Sequence, residues 1–159
     1  MPRPGPVEHL LAALADATAG HTDGAAPGTR PIAVGWATVE LDRAADELAA
    51  DLAIDPGAFV PAADSTALGA RSRIARAVLP GGISIAILEP STEGRLVAIL
   101  VRHDEGPAAI WFEADEAGAA DLPAGRVVPG GGPFGPERLL GIGPPDRFLV
   151  DRGPGTIAT

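Results

Sequence analysis

An α+β fold is predicted, with two βαβββ modules forming one curved, mostly antiparallel sheet around a cleft and an extra helix at the N-terminus. Three observations predict it. Residues 31 to 90 read as a strand, a helix and three further strands. The only two tryptophans, Trp36 and Trp111, each begin a similar segment. The remainder after Trp111 consists of short apolar runs separated by glycine and proline, the punctuation of strands joined by turns.

Taken in order, residues 7 to 18 place Val7, Leu10, Leu11 and Leu14 at helical spacing, which predicts a short amphipathic helix. A Gly/Thr/Pro-rich linker follows to about Arg30. His9 and His21 flank this segment and read as solvated. The run "PIAVGWATV" (31 to 39) is a strand, and "ELDRAADELAADL" carries Leu41, Ala44, Ala45, Leu48 and Leu52 on one face of a helix that Asp55-Pro56-Gly57 ends. A strand is expected near Phe59. The runs "ARSRIARAVL" and "GGISIAILEP" are two more, turned by Pro80, Gly81 and Gly82. Arg71 and Arg73 share a face that reads as solvated.

In "PSTEGRLVAILVRHDEG", Ser91 is the expected N-cap of a short helix with Glu93 in its first turn, although Leu96 to Val101 is apolar all round and fits a strand equally on periodicity. The next strand holds Ile110, Trp111 and Phe112. "WATVELDRAAD" from Trp36 matches "WFEADEAGAAD" from Trp111, with Ala44-Ala45-Asp46 recurring as Ala119-Ala120-Asp121. The second module should then continue through strands at 126 to 128, 137 to 142 and 147 to 151. The loop "GGGPFG" reads as a turn, since no basic residue or helix start follows it. The organisation expected is an N-terminal helix and linker (1 to 30), one two-module domain (31 to 152, modules about 31 to 106 and 107 to 152) and a tail (153 to 159).

Composition narrows the function. A chain of 159 residues, 46% hydrophobic, can bury one core. A formal charge of -9, from 12 basic and 21 acidic residues, argues against nucleic acid or an anionic membrane surface as partner. There is no cysteine, tyrosine or lysine, which excludes thiolate, Schiff-base and Walker-type phosphate chemistry. No apolar run approaches the roughly 20 residues that span a bilayer. The opening residues lack the pattern of a secretory leader, so a cytoplasmic location is expected.

Two βαβββ units with "LPGGISIAILEPSTEGRLVAILVRHDEGPAAIWFEAD" as their core resemble the vicinal oxygen chelate superfamily, most specifically in the run from Leu88-Glu89-Pro90 through the short helix to Glu105-Gly106 and the next strand. That superfamily includes glyoxalase I and bleomycin-resistance proteins, and the likeness is strongest to methylmalonyl-CoA epimerase. It covers residues 31 to 115 well and 116 to 152 loosely. It implies a divalent metal held by His, Gln or Glu on the cleft strands. Carried across, the first ligand falls at Ala33, or at Val34 if the internal repeat sets the register. The second falls at Ala86, and the histidines of the fifth strand fall on Ala108 and Ala109. None of these side chains can bind a metal. Asp151 is the one match left, and a lone carboxylate is no site, so no metal and no cofactor are expected.

By strand alternation the cleft is lined by Ala33, Gly35 and Ala37, by Ser84, Ala86 and Leu88, and by Ala109, Trp111 and Glu113. These walls are small and leave room. In the repeat register Trp36 joins the lining. Glu113 is the expected catalytic carboxylate if it stands desolvated in the cleft, with Glu89 and Glu105 as weaker candidates. Two function classes follow. One is a metal-independent protein that encloses an apolar or aromatic small molecule. The other is a metal-free isomerase, cyclase or lyase of secondary metabolism working through a cleft carboxylate. A third reading is a scaffold that mainly dimerises, since the resemblance also implies a homodimer. A metal-dependent acyl-CoA epimerase fits least.

Overall fold

The computed structural model describes residues 5–19, 29–114, 131–143 and 145–150. Helix α1 (Pro6–Ala19) precedes β1 (Thr29–Ala37) and α2 (Leu41–Leu52). Then come β2 (Val60–Ser65), β3 (Ala70–Leu79), β4 (Ile83–Pro90), α3 (Arg95–His103) and β5 (Gly106–Ala114). The last described elements are β6 (Gly131–Gly132), β7 (Gly135–Gly141) and β8 (Asp146–Val150). The expected repeat residues 119 to 121, the strand at 126 to 128, His21 and Asp151 lie outside the described residues.

Eight strands form one sheet in the order β2-β3-β4-β1-β5-β8-β7-β6. β1 runs parallel to β4 and β5 parallel to β8, while β1 and β5 pair antiparallel at the centre. The two halves of the sheet therefore repeat one arrangement. The edges come back together: Thr66 N donates to Gly131 O at 3.1 Å, so β2 and β6 meet and the sheet nearly closes.

Helices α1 and α2 cover the outer face. Val34, Trp36, Ile85, Ile87, Ile110, Phe112 and Leu149 pack there against Leu10, Leu14, Ala44, Ala45 and Leu48. α1 accordingly lies away from the inner face, and Val7 N ties its start to Asp51 Oδ2 of α2 at 3.0 Å. On the inner face Ala33, Ala37, Ala86, Leu88, Ala109, Trp111, Phe148 and Val150 meet Leu68, Leu96 and Ile99. Period-two alternation sorts the residues this way, so a one-residue change of register would exchange the two cores.

One boundary differs from expectation. α3 starts at Arg95 rather than after Ser91, with Gly94 at its N-cap and no side-chain cap. Instead Leu68 O accepts from Leu96 N at 3.0 Å, and Gly69 O accepts from Ser91 N at 2.9 Å. Tertiary carbonyls satisfy donors for which the sequence suggested a serine. Asp55 caps the short turn Pro56–Ala58 by accepting from Gly57 N at 2.8 Å, as the Asp-Pro-Gly run suggested.

Candidate functional site

The inner face is built from strands that contribute small side chains. Ala33, Ala86 and Ala109, and with them Leu88 and Trp111, are all fully buried. Ala33 pairs with Ser84 on one side and with Trp111 on the other. Gly35 lies beneath the indole: a methyl group there would meet Leu88 Cδ1 and two Trp111 ring carbons at 2.9 Å. The expected roomy cleft is filled in this structure. The volume released by alanine and glycine is taken by Trp111, Leu88 and Phe148, and the 66–69 turn and α3 close over it with Leu68 and Leu96. Two open grooves of about 500 and 630 Å³ line the outer surface and include no inner-face residue.

Trp36 does not join this lining. It packs on the outer face, its ring 6.4 Å from that of His9, because residues 33, 35 and 37 alternate inward and 36 outward. The family register thus holds for β1, and the tryptophan-to-tryptophan match misaligns the two strands by face. Ser84 sits at the margin, where its Oγ accepts from Ala77 N at 3.1 Å and steadies a bulge at which Ala77 takes φ 55°.

The polar centre is a carboxylate absent from the expected set. Glu137, on β7, is 4% exposed. Its Oε1 accepts from Trp111 Nε1 at 2.9 Å and its Oε2 accepts from Ser65 Oγ at 2.8 Å. Gly132 leaves space for it, since a side chain there would overlap the carboxylate. Phe134 meets the Trp111 indole edge-on at 5.1 Å between centroids, and Phe148 stacks at 6.0 Å and 21°. Loss of water pushes the Glu137 carboxyl above the usual carboxylate range, against the two hydrogen bonds that favour its ionised form. Among the described residues no arginine or histidine pairs with it. In the sequence "ERLLGI" the only clue was that Glu137 is in phase with Leu139, whose side chain faces the same core.

The other carboxylates are engaged structurally. Glu113 does not stand alone in an apolar cleft: Arg30 Nε donates to its Oε1 at 2.6 Å, and the Arg30 Nη2 ion pair joins the same oxygen. Glu89 accepts from Leu41 N at 2.9 Å, capping α2, and pairs with Arg71. Glu105 takes Arg43 Nη2 at 2.5 Å, and Arg73 pairs with Asp42. His103 is the exposed last residue of α3. Asp146, fully buried at the start of β8, receives Arg95 Nε at 2.7 Å, Arg95 Nη2 at 2.9 Å and Gly143 N at 2.8 Å.

Methyl groups stand where the resemblance puts ligands, and among the described residues no three His, Asp or Glu side chains converge as a metal-binding group. No helix among the described residues is long and apolar enough to cross a membrane.

No family model matches the sequence, and no curated protein matches it. Solved structures do match. Methylmalonyl-CoA epimerase from Mycobacterium tuberculosis is similar with a TM-score of 0.58 and 18% identity, over 81% of this chain and 91% of that one. Streptomyces coelicolor methylmalonyl-CoA epimerase in complex with 2-nitronate-propionyl-CoA gives 0.55 and 22%, over 76% and 94%. A methylmalonyl-CoA epimerase in complex with methylmalonyl-CoA gives 0.56 and 22%, over 76% and 92%. At these identities the likeness concerns the backbone, and the chain has the fold of methylmalonyl-CoA epimerase.

Proposed function

We propose that this protein is a metal-independent small-molecule-binding protein of the glyoxalase-like fold, holding an apolar or aromatic ligand against the inner face beside Trp111. One observation carries the reading. Where strands β1, β4 and β5 converge the side chains are methyl groups without donor atoms, and the polar centre of that face is Glu137 with Trp111 and Ser65. The clustered rings of Trp111, Phe134 and Phe148 favour a flat apolar molecule over a phosphate-rich one. Because the face is packed, binding requires the seam between β2 and β6 to part. The acyl-CoA chemistry of the structural neighbours does not carry over, since it would need ligands where Ala33, Ala86 and Ala109 stand.

A second reading, a metal-free isomerase, cyclase or lyase of secondary metabolism, draws on the desolvated Glu137 carboxyl, whose raised proton affinity suits a general acid or base. Glu137 replaces Glu113 in that role, because Arg30 already occupies Glu113. A cytoplasmic protein that pairs with a second copy of itself completes the proposal.

Elemental analysis and fluorescence titration test the main reading together. The purified chain is expected to carry far less than one divalent ion per molecule, and to bind aromatic probes equally well before and after treatment with a chelator. Trp36→Phe leaves Trp111 as sole reporter of the inner face. One tightly held divalent ion per chain, or loss of binding with the chelator, overturns metal independence. Product analysis of any bound compound separates turnover from simple holding.

A further inference from the structure

The closure of the sheet is uneven. Neighbouring strands from β2 to β7 are joined by ladders, five residues long where β5 meets β8. The join between β2 and β6 is made by the Thr66 N to Gly131 O hydrogen bond and by Ser65 Oγ on Glu137. β6 is two residues long, both glycine, and the 66–69 turn beside it ends on Gly69 at φ 67°. Behind this seam lies the Trp111, Phe134 and Phe148 cluster with the Glu137 carboxylate at its edge.

Glu137 is a costly choice for a residue that only satisfies an indole N–H and a hydroxyl. A neutral acceptor would do so without the penalty of desolvating a carboxylate. The other buried acids of the described residues have a guanidinium as partner, bidentate Arg95 for Asp146 and Arg30 for Glu113; Glu137 has two neutral donors and no cation among the described residues. Aromatic faces next to a carboxylate that has no counter-ion form a site that favours a cation, by ion pairing and by cation–π attraction together. A chain with net charge -9 also draws cations toward its surface.

Resting on the small-molecule reading above, we propose that the ligand is an apolar or aromatic molecule bearing a protonated amine. It enters through the β2–β6 seam, and its ammonium replaces Ser65 Oγ on Glu137 Oε2 while the apolar body lies against Trp111 and Phe134. Trp111 keeps its bond to Oε1 and serves as the plate.

The test uses the full chain carrying Trp36→Phe, with Trp111 emission as readout and three probes of one shape: phenethylamine, phenethyl alcohol and phenylacetate. The amine is expected to bind at least about tenfold tighter than the alcohol, a difference within reach of one desolvated charged hydrogen bond, and the carboxylate to bind weakest. Adding Glu137→Gln, which can still accept from Trp111 and donate to Ser65, is expected to bring amine and alcohol within about twofold. Adding Ser65→Ala, which removes the competing donor, is expected to tighten the amine severalfold. Equal affinity for amine and alcohol, an amine preference that survives Glu137→Gln, or no gain with Ser65→Ala overturns the proposal. If the alcohol binds without any preference for the amine, only this inference fails; if none of the three probes binds, the small-molecule reading fails with it.

Discussion

Two buried carboxylates lie on neighbouring strands and serve opposite ends. Asp146 is matched by the planar fork of Arg95 and by a backbone N–H, and it fastens the start of α3 to β8. Glu137 is also buried and, among the described residues, has only Trp111 and Ser65 as donors. The first acid meets the requirement of a buried charge, which is a partner of opposite sign and a hydrogen bond to each oxygen. The second does not, and its raised proton affinity is the consequence. A fold keeps an imperfectly matched charge where it serves function more often than where it serves stability.

The comparison is broken most severely by removing the cation from the matched pair. Arg95→Ala leaves Asp146 buried with one N–H, and should cost about 2–3 kcal/mol in urea unfolding. That is below the usual figure for a fully buried pair because the Arg95 side chain is 34% exposed. Replacing both partners, Arg95→Met with Asp146→Leu, should recover most of the loss. A single variant within experimental error of the parent would show that the pair is no staple.

Next in size is Gly35→Ala. The added methyl group would press on Leu88 and Trp111 from 2.9 Å, and overpacking of this kind costs about 1–3 kcal/mol. The distinguishing sign is where the disturbance appears: Trp111 emission should shift, and Trp36, on the outer face, should not. Equal stability with unchanged Trp111 emission would mean that the indole is not seated as described.

The smallest effect is the most specific to Glu137. A carboxyl with raised proton affinity in the folded state adds stability that is fully present below its unfolded value, about 4.3, and is lost as pH rises through the folded value. Glu137→Gln removes that dependence. The variant should therefore gain stability relative to the parent as pH is raised from about 4 toward neutrality, and the gain should level off once the parent carboxyl is ionised. Parallel pH profiles for the two proteins would mean that burial does not perturb Glu137.

Much of the scaffold was legible from residue patterns because local preference and tertiary need agree there. Leu41, Ala44, Ala45 and Leu48 make α2 helical by spacing, and the same residues are its buried face. "ARSRIARAVL" and "GGISIAILEP" alternate as strands and fold as β3 and β4. Agreement ended where donors are satisfied from afar. Ser91 looked like a cap, yet α3 begins at Arg95 because Leu68 O reaches Leu96 N. Trp36 and Trp111 looked equivalent, yet they face opposite cores, since a matched pair of short segments does not fix which residue of a strand points inward.

The candidate site was legible only in part. Ala33, Ala86, Leu88, Ala109 and Trp111 do come together on one face, because alternation along three paired strands is a local rule with a long-range result. Glu137 was invisible, being one acid in a glycine- and proline-rich half, brought to Trp111 by pairing through β8 and to Ser65 by closure of the sheet. By itself the sequence determined the strands, the helices and the absence of donor atoms where three inner strands converge, since these depend on side-chain chemistry and periodicity. Only tertiary structure decided that the inner face is packed, that α1 lies on the other side, and that the unmatched acid there is Glu137. Each of these depends on which distant strands share an edge, and a linear pattern holds no record of that.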